Sequence, residues 1–101
     1  MRVIKRAPLD EFARKHSQAK KPLESWLKIA KEENWNNFTE VKNHFGTADF
    51  VGDNRIVFNI GGNKYRLVVH ANFRTKTFFV KFIGTHKEYD KIDVATVRIE
   101  S

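Results

Sequence analysis

Arg55-Ile56-Val57-Phe58-Asn59-Ile60-Gly61-Gly62-Asn63-Lys64-Tyr65-Arg66-Leu67 is the stretch that decides the fold. Its side chains alternate, with Ile56, Phe58 and Ile60 on one side and Arg55, Val57 and Asn59 on the other, which is the period of a strand. Gly61-Gly62-Asn63 tolerates the positive φ angles of a tight hairpin. Beyond it the alternation resumes. Tyr65, Leu67, Val69 and Ala71 share a face, and Lys64, Arg66, Val68, His70 and Asn72 share the other. A turn near Arg74-Thr75 leads into a third run, Lys76 to Ile83. There Phe78, Val80 and Phe82 are expected toward the core, and Thr77, Phe79 and Lys81 away from it. Three successive strands of this kind predict an antiparallel meander with one apolar face and one basic face.

Toward the N-terminus the period changes. Val3 and Ile4 read as a short strand between basic residues. Pro8 suits a first helical turn, and Asp10 and Glu11 suit its positive dipole end. Leu9, Phe12, Ala13 and His16 then fall at i, i+3, i+4 and i+7. Pro22 opens a second helix, in which Leu23, Trp26, Leu27 and Ala30 repeat the spacing while Lys28, Lys31, Glu32 and Glu33 cover the other side. Trp26 is a core residue on this reading. Thr39 to Phe45 reads as one or two further helical turns stopped by Gly46. Residues 46–54 read as loop, with Phe50 and Val51 able to pair briefly as a strand. The fold expected is α+β in two layers: two N-terminal helices on one face of a small, mainly antiparallel twisted sheet. Its other face is left open.

At 101 residues the chain is expected to be one domain, 1–101, with one modest core. No apolar run approaches the ~20 residues of a membrane span. The first residues carry charge without a following apolar stretch, so no secretory signal is read there. Cysteine is absent, which excludes disulfides and thiolate metal sites and suits a cytoplasmic protein. The net charge is +7, and residues 55–91 hold eight Lys/Arg against two Asp/Glu. A surplus confined to the strands favours a polyanionic partner, nucleic acid first.

The candidate chemistry lies just past the third strand, in Gly84-Thr85-His86-Lys87-Glu88-Tyr89-Asp90-Lys91. On a helical turn His86, Tyr89 and Asp90 stand at i, i+3 and i+4 and share a face. An imidazole, a phenol and a carboxylate near Arg66 suit RNA cleavage by its own 2′-hydroxyl. That reaction needs a proton acceptor, a proton donor and a cation for the phosphorane, and no metal or other cofactor. Imidazole titrates near neutrality, and a guanidinium fork matches phosphate oxygens. Arg55, Lys64, His70, Phe79, Lys81 and Lys87 are the expected RNA-binding residues. His16 reads as the border of its helical face, and His44 as structural or solvated. Zincin, Walker and nucleophile-elbow motifs are absent, and Gly61-Gly62-Asn63 lies between strands, where it is a turn and not a phosphate cradle.

The pair of motifs, Val57 to Leu67 and Gly84 to Lys91, resembles the HigB toxins of bacterial type II toxin–antitoxin modules, within the RelE/ParE-like superfamily. The element order fits over nearly the whole chain. The resemblance implies a ribosome-associated mRNA interferase and a helix-turn-helix antitoxin of the HigA type as partner. Operator DNA would be bound only through the antitoxin complex. It places the family's C-terminal motif on His86, Tyr89 and Asp90, with Lys87 beside them, and the Arg of its Asn-Lys-Tyr-Arg segment on Arg66. Two other readings stay open: a non-catalytic RNA- or protein-binding module, and a ParE-like toxin that poisons DNA gyrase on the same fold. His86 and Tyr89 favour the nuclease branch.

Overall fold

The computed structural model describes residues 1–99; the last two residues of the expected 1–101 domain lie outside them. The chain runs β1 (Arg2–Ile4), α1 (Ala7–Lys15), a 3-10 turn (Ser17–Ala19), α2 (Lys20–Glu32), α3 (Phe38–His44), β2 (Asp49–Phe50), β3 (Arg55–Ile60), β4 (Tyr65–Asn72), β5 (Thr77–Thr85) and α4 (His86–Tyr89). One sheet holds the strands in the order β1-β5-β4-β3-β2. All neighbours are antiparallel except β1, which lies parallel to β5 with Val3 beside Phe78. The α+β architecture and the N-terminal helices are those the sequence predicts. Among the described residues no helix is long and apolar enough to cross a membrane.

Local chemistry accounts for the elements. Pro8 sits in the first turn of α1, where a missing N–H costs nothing. Asn37 caps α3 by accepting from the Glu40 amide at 3.0 Å. Gly61 and Gly62 carry φ of 64° and 71° in the β3–β4 hairpin, a conformation that other residues adopt at a cost.

The core lies between helices and sheet. Leu9, Leu23, Trp26 and Ala30 from the helices meet Ile56, Phe58, Ile60, Leu67, Val69, Phe78 and Val80 from the strands. The Trp26 ring meets Phe58 edge-on at 5.3 Å, and Trp35 stacks near Phe78 at 5.8 Å. Burying such rings supplies much of a small domain's stability. Both tryptophans are core residues, each about 2% exposed.

Two expectations about the sheet need correction. Phe82 does not face the core. Val69 pairs with Val80 and Val68 with Phe82, so Lys81 is an extra residue on β5. This β-bulge inverts the alternation beyond it. Ile83 takes the core side opposite Leu67, and Phe82 joins Val68 on the outer face. Nor is the outer face fully open. The segment after α4 crosses it, held where Arg55 donates to the carbonyls of Val94 (3.1 Å) and Val97. Val57 and Val68, both on this face, are buried.

Candidate catalytic rim and nucleic-acid face

The C-terminal end of β5 builds the rim. Thr85 caps α4 by accepting from the Glu88 amide at 3.2 Å, and the Glu88 carboxylate accepts from the Thr85 amide at 2.8 Å. This reciprocal capping box fixes a helix of only one turn. The His86 amide donates to the Lys64 carbonyl at 3.1 Å, which ties α4 to the start of β4.

On that turn His86 Nδ1 lies 3.1 Å from Asp90 Oδ2. A carboxylate only accepts, so Nδ1 is the donor of this bond, and in the neutral ring the lone pair is then on Nε2. The side chains are 47% and 60% exposed, accessible to a large substrate. The Arg66 guanidinium sits over the Tyr89 ring, 6.0 Å from its centroid. It also donates to Asn63 Oδ1 (2.6 Å) and to the carbonyls of Asn63 and Tyr65, both at 3.2 Å.

Gly84 pairs with Arg66 across the strands. A methyl group there would lie 2.5 Å from the Phe82 ring and 3.1 Å from Glu88 Oε1. The Phe82 ring in turn lies 6.4 Å from Tyr89. The absence of a side chain at Gly84 therefore lets the Phe82 ring and the Glu88 carboxylate close over the strand end beside Tyr89.

The structure thus brings Arg66, His86, Tyr89 and Asp90 to one rim, with Lys87 exposed on the same turn. Sequence reasoning missed Asn63 and Gly84. Asn63 reads as a turn residue, and Gly84 as a strand terminator.

The expected RNA-binding residues divide. Phe79 and His70 pair across the strands with rings 6.5 Å apart, and the Lys81 ammonium lies 6.0 Å from the Phe79 centroid. Partial burial, and after it the charges of Arg55, Lys5 and Arg98, lower the Lys81 pKa from its ordinary 10.5. Arg55 departs from expectation. It is 8% exposed, and its guanidinium is engaged by tail carbonyls, not offered to solvent. Lys64 is exposed, but its ammonium donates to Gln18 Oε1 at 2.8 Å. His44 is structural, accepting from buried Trp35 Nε1 at 3.1 Å. His16 stacks on Phe12, centroids 4.2 Å apart. A groove of about 300 Å³ between α1 and α2, floored by Leu9, Ala13, Leu23 and Leu27, holds none of the site residues.

The family model of HigB toxins, described as the RelE-like toxic component of a toxin-antitoxin system, matches residues 19–92. The chain belongs to the HigB toxin family. It is similar to the mRNA interferase HigB of Escherichia coli O6:H1 (strain CFT073), 37% identical over 94 residues that cover 91% of each chain. It is also similar to the mRNA interferase toxin HigB of Escherichia coli K12, 42% identical over 38 residues. That shorter match spans 38% of this chain and 36% of the relative. The matched family region contains the whole rim, from Asn63 and Arg66 through Asp90.

Proposed function

We propose that this toxin is an mRNA interferase, a metal-independent endoribonuclease that cuts translated messages on the ribosome and is neutralised by a HigA-type antitoxin. The observation that carries the reading is the pairing of an accessible His86–Asp90 couple with Arg66 and Tyr89 on one rim of a basic sheet. The similarity to proteins named mRNA interferase supports it. The chemistry is that of a reaction in the cytoplasm, the compartment of ribosomes and messages. The antitoxin complex, not the toxin alone, binds operator DNA.

In the step proposed, His86 Nε2 takes the proton of a ribose 2′-hydroxyl while that oxygen attacks the adjacent phosphorus. Asp90 holds the imidazole in the required tautomer and stabilises it once charged. Arg66 neutralises the charge that grows on the non-bridging phosphate oxygens. The bond to the 5′-oxygen breaks, and the leaving oxygen takes a proton from the Tyr89 hydroxyl or from water. The products are a 2′,3′-cyclic phosphate and a 5′-hydroxyl. Phe79, His70, Lys81 and Lys87 hold the RNA on either side of the cut. Lys64 contributes once its contact with Gln18 is exchanged for a phosphate.

His86→Ala tests this. The side chain is exposed, so the variant should melt like the parent. It should cut roughly 10²- to 10⁴-fold more slowly, the usual range for a general acid–base group. Primer extension on a translated message reads the rate, and end-group analysis of the fragments reads the chemistry. A folded His86→Ala protein with parental activity removes His86 from the mechanism. A 5′-phosphate product removes the mechanism itself. DNA damage on induction, without loss of message, would point to the gyrase-poisoning reading.

A further inference from the structure

At the end of the outer face away from His86, four residues stand side by side across the sheet: Ile4 on β1, Phe79 on β5, His70 on β4 and Arg55 on β3. Lys5 follows Ile4, and Lys81 is the bulged residue two positions past Phe79. The tail crosses this same row. Arg55 grips it at the Val94 and Val97 carbonyls, and Lys5 Nζ meets the Ile99 carbonyl at 3.5 Å. Arg98 lies between these two anchor points.

We propose that the tail is part of the RNA-binding surface: Arg55 pins it so that Arg98 joins Lys5 and Lys81 in a cluster that holds a backbone phosphate of single-stranded RNA, beside a base stacked on Phe79. The proposal rests on the RNA-cleaving reading of the rim and adds a second grip on the same substrate.

A strap that served packing alone would need its carbonyls held and its apolar side chains covered. It would not need like charges gathered beneath it. Arg55, Lys5 and Arg98 all act on the Lys81 ammonium, and such crowding is unfavourable until an anion arrives. Among the described residues, the close contacts between basic side chains and carboxylates lie elsewhere: Arg6–Asp10 and Lys15–Glu11, with the imidazoles of His44 and His86 facing Glu33 and Asp90. The nearby Asp93 carboxylate accepts from the Ala95 amide at 3.0 Å, within its own turn. Phe79 is half-buried with a cation over its ring, which is the pairing of aromatic and positive charge used to hold single strands without sequence preference. Arg55, being buried, acts through the tail and is a positioning residue.

The test uses the full chain and a 2′-O-methyl RNA oligonucleotide, which lacks the attacking hydroxyl and stays intact. Fluorescence anisotropy over a range of salt gives Kd and its slope. Lys5→Ala/Arg98→Ala should weaken binding roughly tenfold or more at low salt. Each lost phosphate contact should reduce the log–log salt slope by about 0.7. Both residues are exposed, so the variant should fold normally. Arg55→Met should weaken binding as Arg98→Ala does, and Arg55→Met/Arg98→Ala should be no worse than either, the mark of two residues acting as one unit. If Lys5→Ala/Arg98→Ala binds like the parent while Arg66→Ala and Lys81→Ala are weakened, the tail is a strap only and this inference falls, with the RNA reading intact. If none of these variants changes Kd or slope, the RNA reading falls and takes the inference with it.

Discussion

Asn63 stands in a hairpin turn, but its side chain does work the turn does not require. Gly61 and Gly62 supply the positive φ angles, so Asn63→Ala should leave the hairpin intact. It would release the Arg66 guanidinium from its 2.6 Å bond. We expect a loss of up to about tenfold in cleavage rate, the size of one net hydrogen bond, with the melting temperature nearly unchanged. Cleavage kinetics alongside thermal melts check both halves. Lys81 carries the opposite balance. Its pKa is lowered in the folded state by partial burial and by Arg55, Lys5 and Arg98. Between that lowered value and 10.5 the unfolded chain binds more protons, so stability rises with pH across this alkaline window and is lower below it. Lys81→Met should therefore melt no lower than the parent at neutral pH, the gain being small because water screens this ammonium, and should lack this alkaline gain, while binding RNA less tightly. Melting curves from pH 7 to 10.5 read the first effect. A variant that melts lower at pH 7 would contradict the electrostatic account.

Among the elements, α3 depends on one contact that its own sequence does not advertise. His44, in its last turn, accepts the buried indole N–H of Trp35 and faces Glu33 at 3.3 Å. His44→Ala would orphan that donor, at a cost of about 1–3 kcal/mol. The variant should melt several degrees lower yet cut RNA at the parental rate under conditions where it is folded, because α3 contributes nothing to the rim. The contrast shows what was legible. Strands β3 and β4 could be read because Gly61-Gly62 marks their turn and the alternation of Ile56, Phe58 and Ile60 is unbroken. His86, Tyr89 and Asp90 could be placed together because helical spacing alone does so. The bulge at Lys81 could not be read, since an extra residue leaves no mark in an apolar run and Phe82 and Ile83 suit either face. The parallel pairing of β1 with β5, the return of the tail over Arg55 and the Trp35–His44 bond join residues distant in sequence or out of periodic phase. No local pattern encodes them.

For the molecule as a whole, the excess charge works at a distance. The chain carries +7, so a protein that neutralises it should present acidic groups, and their encounter should be steered. Association with the cognate antitoxin should slow several-fold as salt rises from 0.05 to about 0.5 M, while dissociation changes less. Stopped-flow measurements check this, and a salt-independent association rate would contradict it. The order of the elements carries a further consequence. Strand β1 can join the sheet only when residues 77–79 exist to receive it, and the catalytic and binding groups proposed here are concentrated between residues 63 and 98. During synthesis the two helices emerge first, with no sheet to cover and nothing able to cut. On the rim proposed above, a growing chain should be unable to cut until residues 63–90 have been made and folded. Abandoned fragments lacking β5 and α4 should therefore be inert.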